Sequence, residues 1–354
     1  MLSKVAVKAI SCLMIPVLAT GCIKMLDPAV KADSGVNNPM PSESLPPLDS
    51  NETYSHVVRH TFSEVGADFD PFITNDGKKI IYASTKISDR SDIFMKVANS
   101  KINEQITHTP HANEKQPQLS PDGKRILFAS DKEGKWGIYE VSATTRGSVE
   151  LEVVSNGRVN EQPCYSPDGK SIAYVTWLPK KSNWYIATLD RKTQQERIYG
   201  PGVFPRFSPD GKKIVFQRPR SRSPQWFSIW ILDLQRESVS EIVSNNNWAA
   251  VTPNWSPDGK KLIFAAINKS VHAHGQFAGD DIYSIWADGT HLVRLTNDEA
   301  EDWSPVWAKN GRIFFVSKRN GYQNIWSIKP KNMDPYHPDT IETAIDDVKR
   351  LDNL

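Results

Sequence analysis

Apolar and polar positions alternate with a period of two through most of residues 56–330. Runs such as Lys-Arg-Ile-Leu-Phe-Ala-Ser at 124–130 and Lys-Lys-Ile-Val-Phe-Gln at 212–217 show it plainly. Further runs follow each of these: Ile-Tyr-Glu-Val at 138–141, Ile-Trp-Ile-Leu at 229–232, Ile-Tyr-Ser-Ile at 282–285 and Ile-Trp-Ser-Ile at 325–328. β-Branched and aromatic residues bounded by turn formers predict strands. No amphipathic 3.6-residue pattern interrupts them, which excludes a helical solenoid.

The strands recur in a fixed frame. Ser-Pro-Asp-Gly stands at 120–123, 166–169, 208–211 and 256–259, with degenerate copies at 74–77 and 308–311. The six glycines are spaced 42 to 52 residues apart. Six residues before each glycine is a proline: Pro71, Pro117, Pro163, Pro205, Pro253 and Pro305. One repeat per supersecondary unit is implied. In the tetrapeptide, proline presets φ, aspartate bonds local backbone, and glycine takes the positive φ that closes a hairpin. These aspartates read as turn residues rather than ligands. A fourth strand is expected at 104–107, 151–154, 196–199, 240–243 and 291–296. The fold class is therefore all-β: a six-bladed propeller of four-stranded antiparallel blades. Residues 56–60 are the preferred outer strand of the last blade, since pairing the chain ends leaves no open edge. Residues 347–351 could also serve, although Ile341, Ile345, Val348 and Leu351 fit a short helix as well.

This frame resembles the TolB-type propellers, with their WD-like repeats, over residues 56–330. The resemblance implies the fold and leaves function open, because propellers host unrelated activities. TolB has a separate α/β domain before its propeller, and none is read here. A part in the Tol–Pal system is therefore not carried over.

The N-terminus predicts export. Lys4 and Lys8 precede an apolar stretch at 9–18, too short to span a bilayer. Ala19-Thr20-Gly21-Cys22 then resembles a bacterial lipobox, so residues 1–21 read as signal peptide and Cys22 as the lipidated residue. An ordinary secretory peptide is the plainer reading. Ile23 after the cysteine implies the periplasmic side of the outer membrane in a Gram-negative host. Residues 22–53, rich in Pro, Ser, Asn and Asp, read as a disordered tether with a reach of about 30 Å. The propeller is assigned to 54–330, and 331–354 to a C-terminal extension.

Charge narrows the partners. The full chain carries +2, and loss of Lys4 and Lys8 with the leader brings it to about zero, unlike the basic surface of a nucleic-acid binder. Cys164 is the one cysteine left in the propeller, so no internal disulfide is expected there. A monomer without cofactor is expected.

Candidate binding residues lie on loops that a propeller gathers on one face. They are Asp68, Glu114, Glu161, Trp177, Arg218, Trp248, Asp302 and Arg319. Aromatics with acids and arginines suit protein or sugar recognition; the plainer reading is that the acids bond local backbone and the tryptophans cover blade edges. His108 and His111 enter the second blade and His272 and His274 lie in the fifth, across the ring. They form a weak metal candidate, with solvated loop histidines the plainer reading. No Gly-x-Ser-x-Gly elbow and no phosphate loop occur. The reading is a non-catalytic, lipid-anchored module that binds an envelope protein or cell-wall glycan. The alternative is a metal-assisted polysaccharide lyase or another propeller enzyme.

Overall fold

The computed structural model describes residues 31–32 and 54–330, apart from 146, 149, 221–222, 247, 269–279 and 298–299. Within them the chain forms the six four-stranded antiparallel blades of a propeller. The innermost strands are Asp68–Ile73, Glu114–Leu119, Asn160–Tyr165, Val203–Phe207, Trp248–Trp255 and Asp302–Trp307. Blade 4 carries an extra rim strand, Lys31–Ala32, parallel to Ser238–Val243. Among the described residues no helix is long and apolar enough to cross a membrane.

The Ser-Pro-Asp-Gly turns work as their chemistry requires. In the second blade Ser120 Oγ donates to Asp122 Oδ1 at 2.6 Å, and the Lys124 N–H donates to the same oxygen at 3.1 Å. Ser120 Oγ in turn accepts from the Arg125 N–H at 2.9 Å. The same bonds recur at Ser166, Ser208 and Ser256. Gly211 sits at φ 72°, where a Cβ would be strained and would meet the Pro167 ring of the preceding blade.

Alternation along each strand sends side chains to both faces of a blade. They meet the neighbouring blades in six apolar clusters. Between blades 1 and 2, for example, Ile81 and Ile93 pack with Phe128 and Tyr139. Fully buried Phe and Ile side chains each contribute about 1.5–3 kcal/mol.

The outer strand of blade 6 is Tyr54–Arg59, which pairs antiparallel with Asn324–Pro330. His60 pins this closure to blade 1: its Nδ1 lies 3.0 Å from the Ala98 carbonyl oxygen and its Nε2 2.7 Å from Ser327 Oγ. Burial holds the imidazole down to about 4. Residues 331–354, and with them the rival closing segment, lie outside the described residues.

The expected fourth strands are shorter than their sequences suggest in three blades. They shrink to Glu104–Gln105, Leu151–Glu152 and Val293–Arg294. Side chains explain two of these. Thr107 and Thr296 accept the Ile93 and Ile282 N–H groups through their hydroxyls at 2.8 and 2.9 Å, replacing the backbone ladder.

Candidate functional site

The innermost strands are bulged at one repeated position. The residue before each frame proline sits in the left-handed region: Asp70, Gln116, Gln162, Phe204, Thr252 and Ser304, at φ 49–56°. Ladder register shifts at the same place in all six blades. A bulge re-aims the local backbone and side chain, and a non-glycine residue there costs of order 1 kcal/mol or more. Hydrogen bonds from blade to blade offset that cost. The Gln116 N–H donates to Asp70 Oδ2 at 3.2 Å, the Gln162 N–H to Gln116 Oε1 at 2.9 Å, and the Phe204 N–H to Gln162 Oε1 at 2.6 Å. Phe204 has no acceptor to pass the pattern on. Gln217 of the next strand stands in, taking the Thr252 N–H at 2.6 Å, and Thr252 Oγ1 accepts from Ser304 at 3.3 Å. Sequence reading missed this ring. Its signal is the polar residue just before the frame proline.

Charges cluster around the same ring. Lys115 binds Glu161 at 2.8 Å and lies 3.8 Å from the Trp136 ring centre. Burial pushes the Asp70 carboxyl up, and Lys115 and Arg206 pull it back. Arg206 comes from the blade opposite Asp70, so the two face each other across the ring.

Three acids expected on the loop face are instead fully buried: Asp68, Glu114 and Asp302. Asp68 accepts from Ser63 Oγ at 2.8 Å and Ser84 Oγ at 2.6 Å. Asp302 accepts two bonds from Arg319, at 2.9 and 3.1 Å. Neither oxygen of Glu114 has a hydrogen-bond partner. Burial pushes its carboxyl up to about 7; the Thr107 and Thr109 hydroxyls oppose the rise and Glu150 and Asp92 add to it. The three acids hold one ladder position, opposite Ser84, Ser130 and Ser317. Two residues after each serine stands a cation: Lys86, Lys132 and Arg319.

The other predicted residues disperse. Trp248 is in the core, stacked with Phe264 and Tyr283 at 6.1 and 6.3 Å, because its strand end turns inward between blades 4 and 5. Arg319 is largely committed to Asp302 and Ser317. Trp177 is half-buried against Trp184, ring centres 5.6 Å apart. Arg218 lies over Trp230 at 5.1 Å, and burial lowers its proton affinity. His108 and His111 are exposed; His272 and His274 lie outside the described residues. Among the described residues no three of His, Cys, Asp or Glu converge closely enough to hold a metal ion. Cys164 is buried and free, and burial pushes its thiol up.

Among the described residues the loop face presents an apolar group. Phe62, Val65, Ile87 and Tyr322 are exposed, Val65 by 74%. Backbone contacts gather them. Ala67 bridges to Gln323, and the Thr85 N–H donates to the Ala67 carbonyl at 3.0 Å. The Arg59 guanidinium stacks over Phe62 at 4.9 Å.

The family model describing the TolB beta propeller domain matches residues 51–202, 152–270 and 200–337, well over half of the chain. The chain belongs to the TolB β-propeller family. Its fold is similar to that of a putative TolB from Agrobacterium tumefaciens, at 19% identity and TM-score 0.55, covering 76% of this chain and 91% of that one. TolB from Acinetobacter baumannii is similar at 18% identity and TM-score 0.52, over 73% of this chain and 65% of that one. An oligogalacturonate lyase from Vibrio parahaemolyticus is similar at 13% identity and TM-score 0.54, over 77% and 93%. At such identities the likeness shows the fold alone. No curated protein matches in sequence. This member of the TolB β-propeller family thus shares its scaffold with TolB proteins and an oligogalacturonate lyase, and its own side chains must carry the functional argument.

Proposed function

We propose that this TolB-family propeller is a non-catalytic docking module of the cell envelope. It is anchored through Cys22 and the tether at 22–53, and it binds another envelope protein on its loop face. The observation that carries this reading is the apolar group at blades 6 and 1: Phe62, Val65, Ile87 and Tyr322, exposed together beside Arg59. Clustered exposed apolar residues mark interaction surfaces, and aromatic and arginine anchors supply much of the binding energy there. A cell-wall glycan is the second ligand class, since an aromatic face also stacks on sugars.

The test is a crosslinking pull-down of the intact protein from native envelopes, with Cys22→Ala as the unanchored control. One dominant envelope protein is expected, lost in a Phe62→Ser/Tyr322→Ser double variant that keeps its fold. Recovery unaffected by those changes would sink the reading. The lyase reading predicts bound metal and activity on acidic polysaccharide, both measurable on the same preparation.

A further inference from the structure

The boundary between blades 5 and 6 and that between blades 1 and 2 carry one arrangement with different charges. At the first, Asp281 opens the third strand of blade 5 and is met by Arg294 at 2.5 Å, while Arg319 binds Asp302. Two buried acids thus meet two arginines. At the second, Asp92 opens the third strand of blade 1, and Glu114 stands where Asp302 does. Gln105 replaces Arg294: it lies opposite Phe94 as Arg294 lies opposite Tyr283. Lys132 replaces Arg319 but reaches Glu150 instead, at 2.6 Å. The position that supplies a guanidinium in one boundary supplies a neutral amide in the other.

The result is three neighbouring acids, Asp92, Glu114 and Glu150, with Lys132 on Glu150 and His108 beside Asp92 among the described residues. Glu114 is fully buried with both oxygens unpartnered. Asp92 is met by the Gln105 amide at 3.1 Å and the Thr109 N–H at 3.3 Å. A buried carboxylate left without a partner is costly, and charge-assisted bonds are what relieve it. The carboxylates do not converge on a point as metal ligands must. A planar guanidinium, with five N–H donors in a fork, suits separated carboxylates better. Ile87 of the apolar group lies on the loop that leads into Asp92.

We propose that the acid cluster at the boundary of blades 1 and 2 receives an arginine side chain from the docked partner. That guanidinium takes the place Arg294 and Arg319 fill at the boundary of blades 5 and 6. The Gln105–Thr109 segment, held over Asp92 by the two bonds above, is displaced on binding. The inference rests on the docking reading for the source of the arginine; the cluster's preference for a guanidinium is independent of it.

The probe is a short acetylated Gly-Arg-Gly amide peptide, titrated against the full chain by NMR. Its counterpart has citrulline, which keeps the shape and removes the charge. Saturable binding of the arginine peptide is expected, with citrulline about tenfold weaker or worse. Glu114→Gln should abolish the difference. Gln105→Arg should block the peptide, because the new side chain can pair with Asp92 as Arg294 pairs with Asp281. Protonation of Glu114, whose carboxyl burial pushes up to about 7, competes, so affinity should fall as pH drops through that value; Asp92, Glu150, Lys132 and His108 are the other charged or titratable groups beside it. Equal binding of the two peptides, no binding at millimolar peptide, or full binding to a folded Glu114→Gln variant would overturn the proposal. A partner captured in the pull-down that ignores Glu114→Gln would leave the docking reading standing and remove this one. Arginine-specific binding without any envelope partner would do the reverse.

Discussion

Glu114→Gln should stabilise this propeller, and increasingly so as pH rises above about 4.5. The substitution keeps the size and shape of the side chain and removes its charge. In the folded protein burial pushes the Glu114 carboxyl from its ordinary 4.5 up to about 7. The folded state therefore binds this proton more tightly than the unfolded chain does. Below about pH 4.5 the carboxyl is neutral in both states and costs nothing special. As pH rises towards 7 the unfolded chain releases its proton first, and the native state loses stability until its own carboxylate forms. At about 1.36 kcal/mol per tenfold change in proton affinity, the full loss is roughly 3 kcal/mol. The glutamine variant avoids that loss. The difference in unfolding free energy between variant and native protein should grow from near zero at about pH 4.5 to roughly 3 kcal/mol at about pH 8. Urea denaturation at several pH values reads it directly without adding salt. A difference that is flat with pH, or a variant less stable at high pH, would refute the reasoning. Glu114 would then have an ionic or hydrogen-bonding partner that neutralises its charge.

Three further expectations follow from the same geometry. Gln162→Ala removes the acceptor for the Phe204 N–H and should cost about 1–3 kcal/mol by orphaning that donor; a loss below a few tenths in the same urea series would show the inter-blade ring to be dispensable. Arg319→Met removes the two bonds Arg319 gives the buried Asp302 and should cost about 3–5 kcal/mol, with Asp302→Asn in the same chain restoring part of it; a single variant as stable as the native chain would refute the pairing. Deleting residues 1–59 removes the outer strand of blade 6 and should produce concentration-dependent association on gel filtration, since an unpaired edge seeks another strand. A stable monomer would show that the ring closes without it.

The parts of the fold legible in the chain are those encoded within a few adjacent residues. Ser-Pro-Asp-Gly closes on itself through Ser120, Asp122 and the Lys124 N–H, so its geometry needs no distant partner. The frame prolines and the alternating runs on either side count the blades in the same local way. The candidate site was less legible for a matching reason. Asp68, Glu114 and Asp302 look alike along the chain, each a few residues before a frame proline. Their neighbours in space make one satisfied by serines, one by an arginine, and one by nothing. Trp248 reads as a loop tryptophan because its strand begins earlier than the sequence suggests, and it is packed into the core between blades 4 and 5.

Sequence alone determined the all-β class, the six repeats and the turn joining the first two strands of each. Those depend on backbone preferences and on a period of two, and both act over a few residues. Tertiary structure alone decided how the blades meet. The inter-blade ring through Gln116, Gln162 and Gln217, the closure through His60, and the boundary that lacks its arginines all join residues brought together by the curvature of the ring. Hydrogen bonds of about 3 Å and the balance of buried charge depend on those distances, and no local pattern records them.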